Sequence, residues 1–82
     1  MCHTYILFSE TIDTYYVGYT CDDLIERLRK HNTNHKGYTG RANDWKVVYS
    51  ETFVSKTEAY KREREIKSKK SRVYIKWLID RV

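Results

Sequence analysis

The chain has 82 residues, of which 40% are hydrophobic and 33% are charged. This length limits the protein to one domain with a single modest core. The absence of proline excludes proline-rich and collagen-like segments, and no apolar run reaches the ~20 residues that span a bilayer. The N-terminus lacks a basic region followed by an apolar stretch, so we expect no signal peptide and a cytoplasmic location.

The formal net charge is +5, and eight residues are tyrosine. A basic surface combined with aromatic side chains is typical of proteins that bind nucleic acid. The alternative is a small soluble protein whose tyrosines all belong to the core. The charge is concentrated toward the C-terminus, where residues 56–82 contain ten Lys or Arg and four acidic residues.

The two cysteines, Cys2 and Cys21, have no close spacing. Thiols inside cells are normally reduced, so we expect no disulfide framework. A zinc site that combines them with His3 and His31 is not favoured, because the spacing does not resemble paired metal ligands.

The first half of the chain predicts a hairpin followed by a helix. Residues 4–9 and 15–19 are rich in β-branched and aromatic residues and predict two antiparallel strands. Gly18, inside the second strand, predicts a bulge or a close approach of another group to the backbone. A capping box of Thr20 and Asp23 predicts the start of a helix that ends near His31 and Asn32.

The second half predicts a loop, a strand and two helices. The loop covers residues 32–44, which are polar and contain two of the three glycines, and the third strand covers residues 45–53. Ser55 and Glu58 predict the start of a helix that continues to Lys67. A basic break at 68–71 separates it from a last helix over residues 73–82. The predicted order is β-β-α-β-α-α in a single domain spanning residues 1–82.

The helix from Ser55 places a carboxylate on its inward face. With ~100° between successive residues, Ala59, Tyr60 and Ile66 cluster on one side and Glu63 lies among them. A carboxylate in that position is costly unless it is paired, bound to a metal or located at a wet cleft. A salt bridge to an inward Arg or Lys is the simplest structural explanation.

The first helix carries Arg27 and His31 on one flank of its apolar face. Arg27 alone could be a surface residue whose aliphatic stem covers apolar neighbours. Together with Glu63 and the tyrosines of the hairpin, it suggests a site for a phosphodiester. In such a site a carboxylate holds a divalent cation, a guanidinium stabilises the phosphate and a phenol relays a proton.

Four positions in this order resemble the GIY-YIG nuclease superfamily. They are Tyr5 in the first strand, the triplet Tyr16, Val17 and Gly18 in the second strand, Arg27 in the first helix and Glu63 in a later helix. The resemblance covers essentially the whole chain and is greatest to small single-domain bacterial members. It implies an α+β fold in which a three-stranded antiparallel sheet is flanked by helices. It also implies hydrolysis of a DNA strand with one Mg²⁺ or Mn²⁺. Distant relatives include the nuclease of a bacterial excision-repair enzyme, which suggests a role in DNA repair.

Carried over by position, the resemblance implies that Glu63 is the metal ligand and that Arg27 contacts the scissile phosphate. Tyr5 and Tyr16 are then candidates to activate or orient water, and Tyr19 and His31 are secondary members of the site. The first motif departs from the family pattern because it contains His3 and Thr4 in place of Gly and Ile. The second motif is followed by Tyr19, where some members carry a basic residue.

Basic residues outside this set are predicted to contact DNA phosphates. The cluster near the break between the last two helices, Lys67, Lys69, Lys70 and Arg72, is favoured because it lies in a net-basic region. In the loop, Arg41 is a further candidate, together with His35, Lys36 and Tyr38.

Two other functions are compatible with the sequence. One is a nucleic-acid-binding module of the same fold that has no catalytic activity. The other is a protein-interaction domain in which Glu63 and Arg27 pair with each other. A solvent-open cleft shared by Glu63, Arg27, Tyr5 and Tyr16 would favour the enzyme. The chain has no additional domain to select a DNA site, so a homodimer or a partner protein that supplies specificity is also expected.

Overall fold

The computed structural model describes residues 1–33 and 38–81. Its elements confirm the predicted order β-β-α-β-α-α. In chain order they are β1 (Cys2–Ser9), β2 (Thr14–Thr20), α1 (Leu24–Thr33), a 3₁₀ turn (Tyr38–Arg41), β3 (Lys46–Phe53), α2 (Lys56–Ser68) and α3 (Arg72–Asp80). Among the described residues, no helix is long and apolar enough to cross a membrane.

The three strands form one antiparallel sheet in the order β2-β1-β3. β1 is therefore central and β2 is an edge strand. Tyr5 pairs with Gly18 on β2 and with Ser50 on β3. A register shift after Ile6 marks a bulge between β1 and β3.

Helices cover both faces of the sheet because side chains alternate along the central strand. On one face, Tyr5 and Leu7 form a core with Trp45, against which Leu24 and Leu28 of α1 pack. On the other face, Ile6 contributes to a second core, and the residues that complete it come from β2, α2 and α3: Val17, Ile66 and Leu78. Each helix layer thus approaches the edge strand β2 from its own side.

The helix starts are set by local hydrogen bonds. Ser55 caps α2 as predicted, since its hydroxyl accepts a hydrogen bond from the Glu58 backbone N–H at 3.2 Å. The predicted capping box of Thr20 and Asp23 is wrong. Asp23 itself accepts from the Glu26 N–H at 3.1 Å, whereas the Thr20 hydroxyl accepts from the Asp22 N–H. α1 begins at Leu24, so Asp23 is the residue that precedes it and Thr20 lies too far upstream to cap it.

The expectation of no disulfide framework is also wrong, because Cys2 and Cys21 form a disulfide. The hairpin register explains the pairing. His3 lies opposite Thr20, so the residues just beyond that pair, Cys2 and Cys21, are brought together despite a separation of 19 positions. Sequence spacing alone did not reveal this proximity.

Two side-chain clamps hold the start of β3 against the rest of the fold. Asn32, at the end of α1, accepts a hydrogen bond from the Trp45 N–H at 2.8 Å and donates one to the Trp45 carbonyl at 3.0 Å. Asp44 accepts hydrogen bonds from the Ser9 hydroxyl and from both the backbone N–H and the hydroxyl of Thr11. These bonds lower the pKa of Asp44 to about 2.

Candidate active site

The site begins at the hairpin, where Gly18 makes room for a tyrosine. A Cβ atom at Gly18 would lie 2.7 Å from the Tyr5 hydroxyl oxygen and 3.0 Å from the Tyr16 ring. The close approach predicted for Gly18 is therefore present, and the group that approaches is the phenol of Tyr5. The two tyrosines lie on the same face of the sheet because Tyr5 pairs with Gly18 and Tyr16 pairs with Leu7.

The Tyr5 side chain is 1% exposed and meets His31 of α1. The Tyr5 hydroxyl and His31 Nε2 share a hydrogen bond of 2.8 Å. Burial raises the pKa of Tyr5, and the nearby Arg27 opposes this only in part. Burial, reinforced by the charge of Arg27, lowers the pKa of His31. At neutral pH the pair is thus a phenol and an uncharged imidazole.

The guanidinium of Arg27 lies beside the phenol of Tyr5. Its pKa is raised above its usual value, mainly by the interaction with the Tyr5 hydroxyl. The side chain is half-buried, and its Nε atom is fully buried with no hydrogen-bond partner among the described residues. A buried N–H without an acceptor is costly, and an anion could relieve that cost only if the groups covering the atom moved.

The carboxylate of Glu63 lies behind the same tyrosines. Glu63 is only 7% exposed, which confirms the prediction that it faces inward. Its Oε1 atom is 3.1 Å from Nζ of Lys67, one helical turn later. The ammonium of Lys67 lies 5.7 Å from the centre of the Tyr16 ring, and the Lys67 side chain is 46% exposed. The ion pair therefore opens to solvent.

Glu63 is the residue that could hold a divalent cation. Among the described residues, no three His, Cys, Asp or Glu side chains cluster as a metal cage. Mg²⁺ commonly binds through one or two carboxylates and fills its remaining positions with water and substrate phosphate oxygens. A buried carboxylate that could exchange its ion pair with Lys67 for a cation fits that pattern.

The structure brings together Tyr5, Tyr16, Arg27, His31 and Glu63. The charges of Arg27 and Glu63 both act on the Tyr5 hydroxyl, and the rings of Tyr16 and His31 are 5.1 Å apart. Among the described residues, Glu63 forms its ion pair with Lys67 and not with Arg27. The Glu63–Arg27 pairing of the protein-interaction alternative is thus not observed.

Tyr19 adjoins this group at Arg27. It belongs to a solvent-open cavity lined also by Thr20, Cys21, Asp22, Arg27 and Lys56. Its ring packs edge-on against Tyr60 of α2, with 5.3 Å between ring centres. The assignment of Tyr60 to the inward face of α2 is wrong, since Tyr60 is 45% exposed. The actual inward face contains Ala59, Glu63 and Ile66.

The predicted phosphate-binding residues differ in their surroundings. Lys70 and Arg72 line a cavity between β2 and the junction of α2 and α3, and Lys67 also lines it. Arg72 donates to the carboxylate and the carbonyl of Asp13, so part of its charge is neutralised. Lys69 lies over the ring of Tyr74.

Arg41 is exposed at the end of the 3₁₀ turn. The other loop candidates, His35 and Lys36, lie outside the described residues, as does the side chain of Tyr38.

Two lysines near the candidate site, Lys67 and Lys56, are not predicted as part of it by the sequence. Lys67 was treated only as a DNA contact, although its position four residues after Glu63 is the spacing of helical ion pairs. Lys56 was not singled out, because nothing in the sequence places the start of α2 beside the end of β2.

Comparison with known proteins identifies the family of the chain. Residues 1–76 match the family model described as the GIY-YIG catalytic domain. A UPF0213 protein of Staphylococcus epidermidis is 47% identical over 55 residues, and one of Staphylococcus saprophyticus is 43% identical over 54 residues. Each match covers 65% of this chain and 65% of the relative's length. The comparison with solved structures found no match. Because the family model covers most of this chain, the chain belongs to the GIY-YIG family.

Proposed function

We propose that this protein is a metal-dependent endonuclease that hydrolyses DNA phosphodiester bonds. The observation that carries the proposal is that a buried carboxylate, Glu63, and a half-buried guanidinium, Arg27, both lie close enough to the Tyr5 phenol for their charges to act on its pKa. These are the groups that phosphodiester hydrolysis requires, namely a metal ligand, a phosphate clamp and a proton-transfer group. A cytoplasmic location and a role in DNA repair are part of this proposal, and in a reducing cytoplasm Cys2 and Cys21 would be present as thiols.

Glu63 would hold one Mg²⁺ or Mn²⁺. The bound cation would lower the pKa of a coordinated water and polarise the phosphoryl oxygen. Arg27 would bind the scissile phosphate through its guanidinium and stabilise the charge that develops there.

The two tyrosines would divide the work. Tyr5 retains its proton at neutral pH, because burial raises its pKa, and its hydroxyl is engaged by His31 at 2.8 Å. Tyr5 is therefore suited to orient the phosphate or the water through hydrogen bonds. Tyr16 is half-exposed on the same face of the sheet, and we assign it the contact with the attacking water.

The test is cleavage of nicked, branched and flap DNA with Mg²⁺ or Mn²⁺. Glu63→Gln keeps the size of the side chain and removes the charge, so cleavage should fall at least ~100-fold, as when a preorganised catalytic group is lost. Glu58→Gln, an exposed residue of the same helix, is the matched control and should cleave as wild type does. Equal cleavage by wild type and Glu63→Gln would remove Glu63 from the site. Salt-dependent DNA binding without any cleavage would identify the protein as a binding module.

A further inference from the structure

Tyr19 and Tyr60 form an aromatic pair that is incompletely buried. Their rings meet edge-on at 5.3 Å and an angle of 68°, and Tyr60 remains 45% exposed. An edge-on contact leaves ring faces open. Neither ring is among the residues that form the two cores of the fold. The packing of the protein therefore does not account for this pair.

Cationic groups flank the pair. Tyr19 and Tyr60 line a shallow cavity of about 200 Å³ together with Lys56 and Thr57. Tyr19 and Lys56 also line the neighbouring cavity that contains Arg27, along with the acidic Asp22. The two cavities are neighbours because they share these residues. The aromatic pair therefore lies beside the cavity that Arg27 lines.

The aromatic pair is also adjacent to Glu63 along α2. Lys56 and Tyr60 are four residues apart, and Glu63 follows three residues later. Residues at these spacings are neighbours on a helix surface. A strand of DNA whose phosphate lies at Arg27 and Glu63 would therefore have a neighbouring base within reach of Tyr60.

We propose that Tyr19 and Tyr60, with Lys56, form a stacking site for an unpaired nucleobase next to the scissile phosphate. The inference rests on the proposed nuclease function and adds its substrate class, which is DNA with a single-stranded segment at the site. Bases in a continuous duplex are already stacked on their neighbours, whereas every unpaired base has a free face for an aromatic ring. Lys56 contacts the backbone beside that base.

The experiment measures binding with the metal removed by EDTA, so that cleavage plays no part. A fluorescein-labelled oligothymidine of about ten nucleotides is compared with a duplex of equal length by fluorescence anisotropy. The variants are Tyr60→Leu, Tyr60→Phe and, as a matched exposed aromatic on α3, Trp77→Leu. Thermal unfolding verifies that each variant is folded.

Tyr60→Leu should weaken single-strand binding about 10-fold, within the range observed when one stacking ring is removed, and should leave duplex binding unchanged. Tyr60→Phe retains the ring and should bind as wild type does, as should Trp77→Leu. Equal losses for both DNAs, no loss, or no single-strand binding by the wild type would overturn the inference. A wild type that cleaves DNA although Tyr60→Leu binds normally would overturn the stacking site and leave the nuclease proposal intact. If single-strand binding depends on Tyr60 but the wild type cleaves no DNA, the nuclease proposal is overturned and the stacking site stands.

Discussion

At the scale of single residues, the position of the Tyr5 phenol depends on the absence of a side chain at Gly18. A methyl group there would meet the Tyr5 hydroxyl oxygen at 2.7 Å and the adjacent ring carbon at 2.8 Å. Tyr5 is buried and held by His31, so it cannot move aside freely. We expect Gly18→Ala to lower the free energy of unfolding by about 1–3 kcal/mol through overpacking. Urea denaturation measures this loss.

The matched control for Gly18→Ala lies on the other side of Tyr5. Ser50 on β3 is the second cross-strand neighbour of Tyr5 and is exposed. Ser50→Ala should therefore change stability by much less than Gly18→Ala. A Gly18→Ala variant as stable as the wild type would mean that the Tyr5 phenol does not occupy this position.

The buried His31 predicts how stability changes with pH. Its pKa is lowered in the folded protein by burial and by the charge of Arg27. The unfolded chain therefore binds a proton at higher pH than the folded protein does. Stability should be full above the ordinary histidine pKa of about 6.5 and should decline as pH falls below it. His31→Gln should remove this decline, as measured by urea denaturation between pH 8 and pH 5.

His3 provides the comparison for this experiment. It lies on β1, where its Nδ1 shares a hydrogen bond of 3.1 Å with the Thr52 hydroxyl. His3→Gln should retain the decline in stability below pH 6.5 that His31→Gln loses. If both variants keep the same pH dependence, His31 is not the group responsible.

At the scale of elements, one amide fixes the end of α1 to the beginning of β3. The Asn32 side chain makes two hydrogen bonds to the backbone of Trp45, whose own side chain is 2% exposed. Asn32→Ala leaves a buried N–H and carbonyl without these partners. We expect it to lower the free energy of unfolding by about 1–3 kcal/mol.

Thr33 is the neighbouring control for Asn32. It is exposed, and its hydroxyl bonds to carbonyls within α1. Thr33→Ala should cost less than Asn32→Ala in the same denaturation measurement. Equal effects would show that the clamp to Trp45 contributes nothing beyond helix propensity.

The elements were predictable because their patterns are local. Runs of β-branched and aromatic residues identified the strands, and the serine at 55 identified the start of α2. Helical spacing predicts that Tyr60 faces inward with Ala59 and Ile66, but Tyr60 lies at the margin of that face, 45% exposed and edge-on to Tyr19. The Cys2–Cys21 disulfide depends on hairpin register, which the spacing of two cysteines does not reveal.

At the scale of the whole molecule, the site lies where the two helix layers meet at the edge of the sheet. Arg27 comes from the helix on one face and Glu63 from a helix on the other. The sequence could predict each residue by its position in a family motif and by its place on a helix. It could not predict that Lys67 would form an ion pair with the Glu63 carboxylate or that Arg27 Nε would have no hydrogen-bond acceptor. Those features depend on how α1 and α2 pack against opposite faces of the sheet.

The central claim is that Arg27 and Glu63 act as one catalytic unit on a DNA phosphate. The most direct measurement is single-turnover DNA cleavage with Mn²⁺ by the wild type, Arg27→Ala, Glu63→Gln and the double variant. Arg29→Ala, an exposed arginine of the same helix, serves as control. Groups that act as a unit lose activity non-additively, so the double variant should be no slower than the more damaged single variant. Independent losses that multiply, or cleavage that survives both substitutions, would contradict the account.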